Sequence, residues 1–259
     1  MSYYSYIQIY LWGINMSIKN SIYAVVFASI VLFATDSYAQ TLEEVVVTAQ
    51  IREQSLQDVP ISVSAVDGEV IEDRSVDNLQ SLSASVPNFY VAETQIDTTI
   101  SIRGVRSGAN KGFEQSVPLN FDGITYPRSQ LARTPLVDLE RIEVLRGPQP
   151  TLFGKNAIGG VVSVTSAKPT EEFEGKFSTS HESEHDESQS LLVLSGPLSD
   201  NLLGRLTVST REMDGWITNE RMKRLEPQRD ETYIRGQLAW TSGDVDWNLK
   251  VESADFDSV

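Results

Sequence analysis

Residues 138–169, D-L-E-R-I-E-V-L-R-G-P-Q-P-T-L-F-G-K-N-A-I-G-G-V-V-S-V-T-S-A-K-P, constrain the fold more than any other stretch of the chain. Arg141, Ile142, Glu143, Val144, Leu145 and Arg146 form a strand-like run with interleaved charges. Gly147-Pro148 stops it, because proline cannot donate to a ladder. Phe153-Gly154 then leads through Lys155-Asn156-Ala157 to Gly159-Gly160. There the backbone needs conformational freedom or close approach, and residues 161–165 make a second strand. The G-x-x-x-x-G spacing from Gly154 to Gly159 is that of a phosphate loop, but Gly160-Val161 follows where Lys-Ser/Thr must stand, so the charge that meets a phosphate is missing. A Gly-rich βαβ connection in a soluble domain is the competing reading.

A second pattern begins at Phe173, where the hydrophobic period becomes two. Phe173, Gly175, Phe177 and Thr179 alternate with Glu174, Lys176, Ser178 and Ser180, and Leu202, Gly204, Leu206 and Val208 alternate with Arg205, Thr207 and Ser209. Ile234, Gly236, Leu238 and Trp240 alternate with Tyr233, Arg235, Gln237 and Ala239, and Val245, Trp247, Leu249 and Val251 with Asp246, Asn248, Lys250 and Glu252. One face suits lipid and the other a wet lumen, as in a membrane β-barrel; a soluble antiparallel sheet packed on one side has the same alternation. Short connections at 196–200 and 242–244 are expected to be periplasmic turns, and longer charged ones at 181–189 and 212–229 outer loops. Trp240 and Trp247 flank a short turn, where an interfacial aromatic girdle would lie.

Composition excludes classes more than it selects one. The net charge of −15 opposes a nucleic-acid partner, whose affinity rests on Lys and Arg. The absence of cysteine removes disulfides, thiolate zinc sites and thiol nucleophiles. A mean hydropathy of −0.21 excludes a multi-helix membrane protein but not a barrel.

Residues 21–34 form an apolar run of about 13 residues, short of the ~20 that span a bilayer as a helix and fitting for a signal-peptide core. Lys19 precedes it and Ser37-Tyr38-Ala39 offers small residues for cleavage, so a signal peptide is expected over 1–39, with translation starting at Met16. Next comes a β-branched run, Glu43, Glu44, Val45, Val46, Val47, Thr48 and Ala49, with no local partner strand. Such a segment can add itself to the sheet edge of another protein; a first strand of the following domain is the alternative. Ile61, Val63 and Ala65 alternate as in a strand, and Val76, Leu79, Leu82 and Val86 recur at helical spacing, with Ser75 or Asp77 as cap and Pro87 as stop. Residues 99–104 read as a short strand and 119–126 as a hairpin turning at Asp122-Gly123. His181-Glu182-Ser183-Glu184-His185 matches H-E-x-x-H, but zinc-protease chemistry needs a helix there, and the flanks have strand periodicity.

The pieces E-R-I-E-V-L-R-G-P, L-F-G and A-I-G-G-V-V-S-V-T resemble, in order and spacing, the plug domain of TonB-dependent outer-membrane receptors. Pro150 stands where that family usually has glycine, and since proline fixes φ and removes a donor, a differing or weakened turn is expected. The resemblance implies an α+β plug domain over 58–169, followed over 170–259 by about five antiparallel strands, the first of an incomplete transmembrane β-barrel. A plugged transporter barrel has about 22 strands, and an open five-stranded sheet in lipid leaves unpaired backbone edges, so the chain reads as part of a longer receptor. Residues 40–57 would hold the TonB box and a linker, with residues 43–49 captured by TonB. Arg103 and Arg146 would lock the plug to glutamates of the barrel wall. The loops carrying Arg106, Lys111, Tyr126, Arg128 and Arg133 would face the ligand, and their cations suit an anionic chelate or an ordinary solvated surface alike. The implied function is binding and transport in the outer membrane of a Gram-negative-type bacterium, with an iron-siderophore or similar ligand, TonB and membrane lipid as partners, no enzyme activity and no cofactor. A truncated, non-transporting periplasmic binding protein is the alternative.

Overall fold

The computed structural model describes residues 46–47, 54–55, 59–93, 98–107, 114–128, 132–183 and 186–258. Its centre is a mixed sheet of β3 (Ser62–Asp67), β9 (Leu139–Arg146), β10 (Gly160–Ser166), β7 (Leu119–Phe121) and β8 (Ile124–Tyr126), in that spatial order. β10 runs antiparallel to β9 and parallel to β7. The two strands expected inside residues 138–169 are therefore neighbours in the sheet. Both faces are covered, so alternate residues of β9 and β10 enter different cores. Ile142, Val144, Val162 and Val164 join Leu79, Leu82, Phe89, Val91, Ile100 and Ile102 on one side, while Leu145 and Val161 meet Phe153, Ala157 and Val47 on the other. The charges interleaved in β9 are consequently buried, and Arg141 Nε donates to Glu143 Oε1 at 3.0 Å.

Two close approaches explain two glycines. A Cβ on Gly160, whose φ is 146°, would stand 2.2 Å from the Leu145 carbonyl oxygen, so the β9–β10 pairing requires the bare backbone. Gly68 opens α1 (Gly68–Asp73), a helix absent from the sequence expectations, and a Cβ there would lie 2.0 Å from the Leu139 carbonyl oxygen. The expected second helix is α2 (Leu79–Ser83), shorter than the apolar spacing suggested, and its cap is neither Ser75 nor Asp77. Asn78 caps it, accepting from the Ser81 N–H at 2.8 Å, while Ser81 Oγ accepts from the Asn78 N–H in return. Residues 98–102 form β5 between β4 (Phe89–Glu93) and β6 (Val105–Arg106). The β7–β8 hairpin turns at Asp122 (φ 46°) and Gly123 (φ 85°), the two left-handed residues of a type I′ turn.

Pro150 does not weaken its turn. It occupies the first position of α3 (Pro150–Phe153), where a helix leaves its N–H unpaired anyway and the fixed φ of proline is already helical. Gly154 N–H closes the turn on the Pro150 carbonyl at 3.0 Å.

The period-two half forms a separate antiparallel sheet, β11 (Glu174–Glu182), β12 (Glu187–Ser199), β13 (Leu202–Met213), β16 (Arg229–Ser242) and β17 (Val245–Ser258). Val193, Thr207, Arg235 and Glu252 share an inner row; Leu194, Leu206, Gly236 and Val251 share the adjacent outer row. Thr207 is 0% and Arg235 1% exposed against 40% for Leu206 and 64% for Val251, so the two faces fall where the alternation put them. The loops differ from expectation. β11 and β12 pair as far as Glu182 with Glu187, leaving a tight connection instead of a long one, and residues 212–229 contain their own hairpin, β14 (Ile217–Asn219) with β15 (Arg224–Glu226). His181 lies on β11 with Nδ1 3.0 Å from Ser188 Oγ, so the helix that zinc-protease chemistry needs is not formed there. The expected signal segment, the start at Met16, and His185 lie outside the described residues. Among these no helix is long and apolar enough to cross a membrane, which leaves strand-crossing proteins open.

Because Pro150 is pre-set for α3, Pro150→Gly is expected to lower unfolding stability by about 0.5–1 kcal/mol through the added freedom of the unfolded chain. Urea denaturation followed by circular dichroism reads this; a more stable glycine variant would contradict the helical role of the proline.

Candidate functional site

The two sheets meet through buried ions. Asp138, with φ 53°, immediately precedes β9 and turns its carboxylate onto the inner face of the wall sheet. Arg205 Nε donates to Oδ2 at 3.0 Å, Arg235 Nη2 reaches Oδ2 at 2.7 Å, and Thr207 Oγ1 donates to the same oxygen. Arg235 also donates to Ser166 Oγ at 3.1 Å, and Arg205 to the Lys168 carbonyl at 3.2 Å, so the start of β9 and the end of β10, neighbours at one end of the pair, are held together. The side chains of Asp138, Arg205 and Arg235 are 4%, 9% and 2% exposed, deep enough for their charges to depend on one another. Burial alone would raise the Asp138 carboxyl. Hydrogen bonds from Arg205 and Thr207, with the charges of Arg235 and Arg205, outweigh it and hold the group below the usual carboxylate range.

Two further acids repeat the arrangement. Asp122, in the hairpin turn, accepts from Ser166 N–H and Oγ, both at 2.8 Å, and from Lys250 Nζ at 2.5 Å. Its burial is likewise overcome by Lys250 and Ser166, which keep the carboxyl low. Asp77 faces Arg211 Nη1 at 2.6 Å, and Arg211 also meets Glu187. A more exposed pair, Glu72 with Lys176, adds a fourth contact. In these four contacts the acid stands on the plug side, at Asp138, Asp122, Asp77 and Glu72, and the cation on the wall. Sequence reasoning missed these residues, although Arg205, Arg235 and Lys250 were already placed on the lumen face, where a cation in a packed interface needs a partner.

Arg103 and Arg146 are near enough for the charge of one to act on the other, and among the described residues neither pairs with these acids. Arg103 has φ 51° and its N–H bonds Asn88 O, whereas Arg146 donates to Pro87 O at 3.0 Å and Ser64 Oγ at 2.7 Å. Burial and then the neighbouring charge of Arg103 lower the pKa of Arg146. No carboxylate ion pair to either is found among the described residues.

The β-branched run has a partner that the sequence reading lacked. β1 (Val46–Val47) pairs antiparallel with β2 (Gln54–Ser55), and Val47 is fully buried beside Leu145, Phe153, Ala157 and Val161. Glu43, Glu44, Val45, Thr48 and Ala49 lie outside the described residues. Of the expected loop residues, Arg106 and Arg128 are exposed, Tyr126 ends β8 with its ring 6.2 Å from that of Phe121, Arg133 is half-buried, and Lys111 is outside the described residues. The two loops touch where Gln115 N–H donates to the Pro127 carbonyl at 2.7 Å. Nearby, Glu114 is held low by Asn156 and Lys155, with a smaller contribution from Arg128.

A mixed α+β domain pinned by ion pairs to the polar face of an outward-apolar antiparallel sheet is the architecture of a plugged membrane barrel. Comparison with known proteins gives the same answer: residues 55–161 match the model of the TonB-dependent receptor plug domain. The iron-regulated outer membrane virulence protein of Vibrio cholerae is 33% identical over 200 residues, 71% of this chain and 30% of that protein. The pesticin receptor of Yersinia pestis is 31% identical over 162 residues, 61% of this chain and 24% of that receptor. The crystal structure of the ferric yersiniabactin uptake receptor FyuA from Yersinia pestis superposes with a TM-score of 0.68 at 26% identity, over 75% of this chain and 31% of FyuA. The chain belongs to the TonB-dependent outer-membrane receptors, of which it carries the plug and wall strands, and it spans about a third or less of the length of these relatives. Two of these relatives are named as receptors, the pesticin receptor and the ferric yersiniabactin uptake receptor.

Asp138→Asn keeps a residue that tolerates the left-handed conformation but leaves Arg205 and Arg235 without their shared charge. A loss of about 3 kcal/mol is expected in urea unfolding, and a loss under about 1 kcal/mol would contradict the lock. Because the folded-state pKa of Asp138 is depressed, its contribution is present above the unfolded value near 3.9 and is lost as pH falls through the folded value. Stability should therefore hold from about pH 7 to 5 and decline below about pH 4, with Asp138→Asn flattening part of that decline.

Proposed function

We propose that this chain provides the plug, the coupling strand and wall strands of a receptor that takes up a scarce ligand across the outer membrane of a Gram-negative-type bacterium, energised through TonB. The observation that carries this reading is the contrast between two attachments. The plug is fixed to the wall by a buried ion cluster at Asp138, whereas among the described residues β1 is held by a two-residue pairing and the buried Val47. A pull on residues 43–49 therefore meets the plug sheet through its weakest neighbour. Capture by TonB would extend the β1 segment into a strand on the partner's sheet edge, with main-chain bonds giving the affinity.

The ligand we propose is a ferric siderophore, in keeping with the iron-regulated and yersiniabactin-binding relatives. It would meet the loops bearing Arg106, Lys111, Tyr126, Arg128 and Arg133. Arg103 and Arg146, side by side and without a carboxylate among the described residues, would take glutamates from further wall strands as a second lock.

Binding of a purified periplasmic TonB domain to this chain in detergent micelles tests the coupling strand. Val47→Pro removes a main-chain donor, and affinity should fall at least about tenfold, the equivalent of about 1.4 kcal/mol, while the wall sheet keeps its circular dichroism. Unchanged affinity would place the contact elsewhere.

A further inference from the structure

The outer face of the wall sheet is not a smooth apolar band. At Gly236 an added Cβ would meet nothing within 4 Å, so the glycine opens a floor in the row it shares with Leu206 and Val251. Phe173, Leu198, Leu238 and Leu249 stand around it and complete a groove of about 540 Å³. Phe173 lies against Gly196 and Leu198 against Gly204, where missing side chains give them room to act as walls.

The position of the groove suggests its occupant. It lies next to the row of Trp240 and Trp247, at the end where the wall strands are joined by the two-residue connections 200–201 and 243–244. Short turns and aromatic residues mark the periplasmic boundary of a barrel, the level of phospholipid headgroups. The charges of these two turns are acidic, Asp200 and Asp244, and Glu171 and Glu172 precede β11; all four are exposed. The nearby cations are engaged, Lys168 by Glu140 and Arg205 by Asp138 and Glu174. An apolar trough below a ring of carboxylates complements an acyl chain beneath an ammonium group and repels an anionic headgroup.

We propose that this groove is a lipid seat, taking one acyl chain of a phospholipid whose zwitterionic headgroup carries a free amine, with the ammonium at the turn residues Asp244 and Asp200. The proposal rests on the outer face being the membrane face. Phosphatidylethanolamine has this chemistry, and phosphatidylcholine and phosphatidylglycerol serve as its controls. The full chain in nonionic micelles, with Trp12→Phe and Trp216→Phe so that Trp240 and Trp247 alone report, is titrated with each lipid carrying brominated acyl chains. Saturable quenching is expected, with phosphatidylethanolamine half-saturating at about threefold to fivefold lower mole fraction than phosphatidylglycerol, the range that exposed charge contacts supply. Gly236→Leu, which fills the floor, should abolish saturation. Asp200→Asn with Asp244→Asn should erase the headgroup preference without touching the groove, and it decides the matter if the leucine variant does not fold. Equal, non-saturating quenching by all three lipids, unchanged by either variant, would overturn the seat while leaving the membrane face intact. Absence of quenching by any lipid would overturn both.

Discussion

Everything in this structure depends on a carboxylate that two arginines share. Asp138 accepts from Arg205, Arg235 and Thr207 in a space nearly closed to water, and none of the four could be left there alone. The arrangement fixes three things together: the start of β9, the end of β10 through Ser166, and the register of the wall strands against both. Burying charge is costly, and hydrophobic residues of similar volume often hold a contact as well. What a charged contact adds is placement, since an apolar plug surface would slide along an apolar wall. Asp122 with Lys250 and Asp77 with Arg211 extend the same logic to three separate points, which determine an orientation as a single contact does not.

The uniform sign of these pairs gives the interface a direction. The mixed sheet presents carboxylates and the wall presents cations, and the carboxyls of Asp138 and Asp122 are held below their ordinary range by those cations. Arg103 and Arg146 depart from this pattern: among the described residues neither has a carboxylate partner, and Arg146 is held by Pro87 O and Ser64 Oγ.

What could be read from the sequence follows the range of the interactions. The alternation after Phe173 is local, and the structure puts each of those residues on the face it implied; the Asp122-Gly123 turn is local too. Helix ends were less legible because Ser75, Asp77 and Asn78 are all capping residues, and only the fold decides that Asn78 reaches the Ser81 amide. α1 was missed because six residues carry too little periodicity. β1 was read as unpartnered because its partner, Gln54–Ser55, has no strand-forming character of its own. The lock was hidden for a stronger reason: Asp138 and its partners are separated by 67 and 97 residues, and nothing in a single sequence links an aspartate before one strand to arginines in others. Pro150 misled in the opposite direction, since its effect depends on whether it enters a helix or interrupts a strand, and here it enters one.

Asp122 and Asp138 share one more property. Both adopt left-handed backbone angles, and aspartate is among the few non-glycine residues that do so readily. The same side chains that reach the wall are thus part of what bends the chain where they stand. The carboxylates and the turns that carry them are therefore one feature, and a change to either is a change to both. A wall strand slipped by one residue would turn its inward cation away from these carboxylates, so the pairs select the register of the wall as well as its contact.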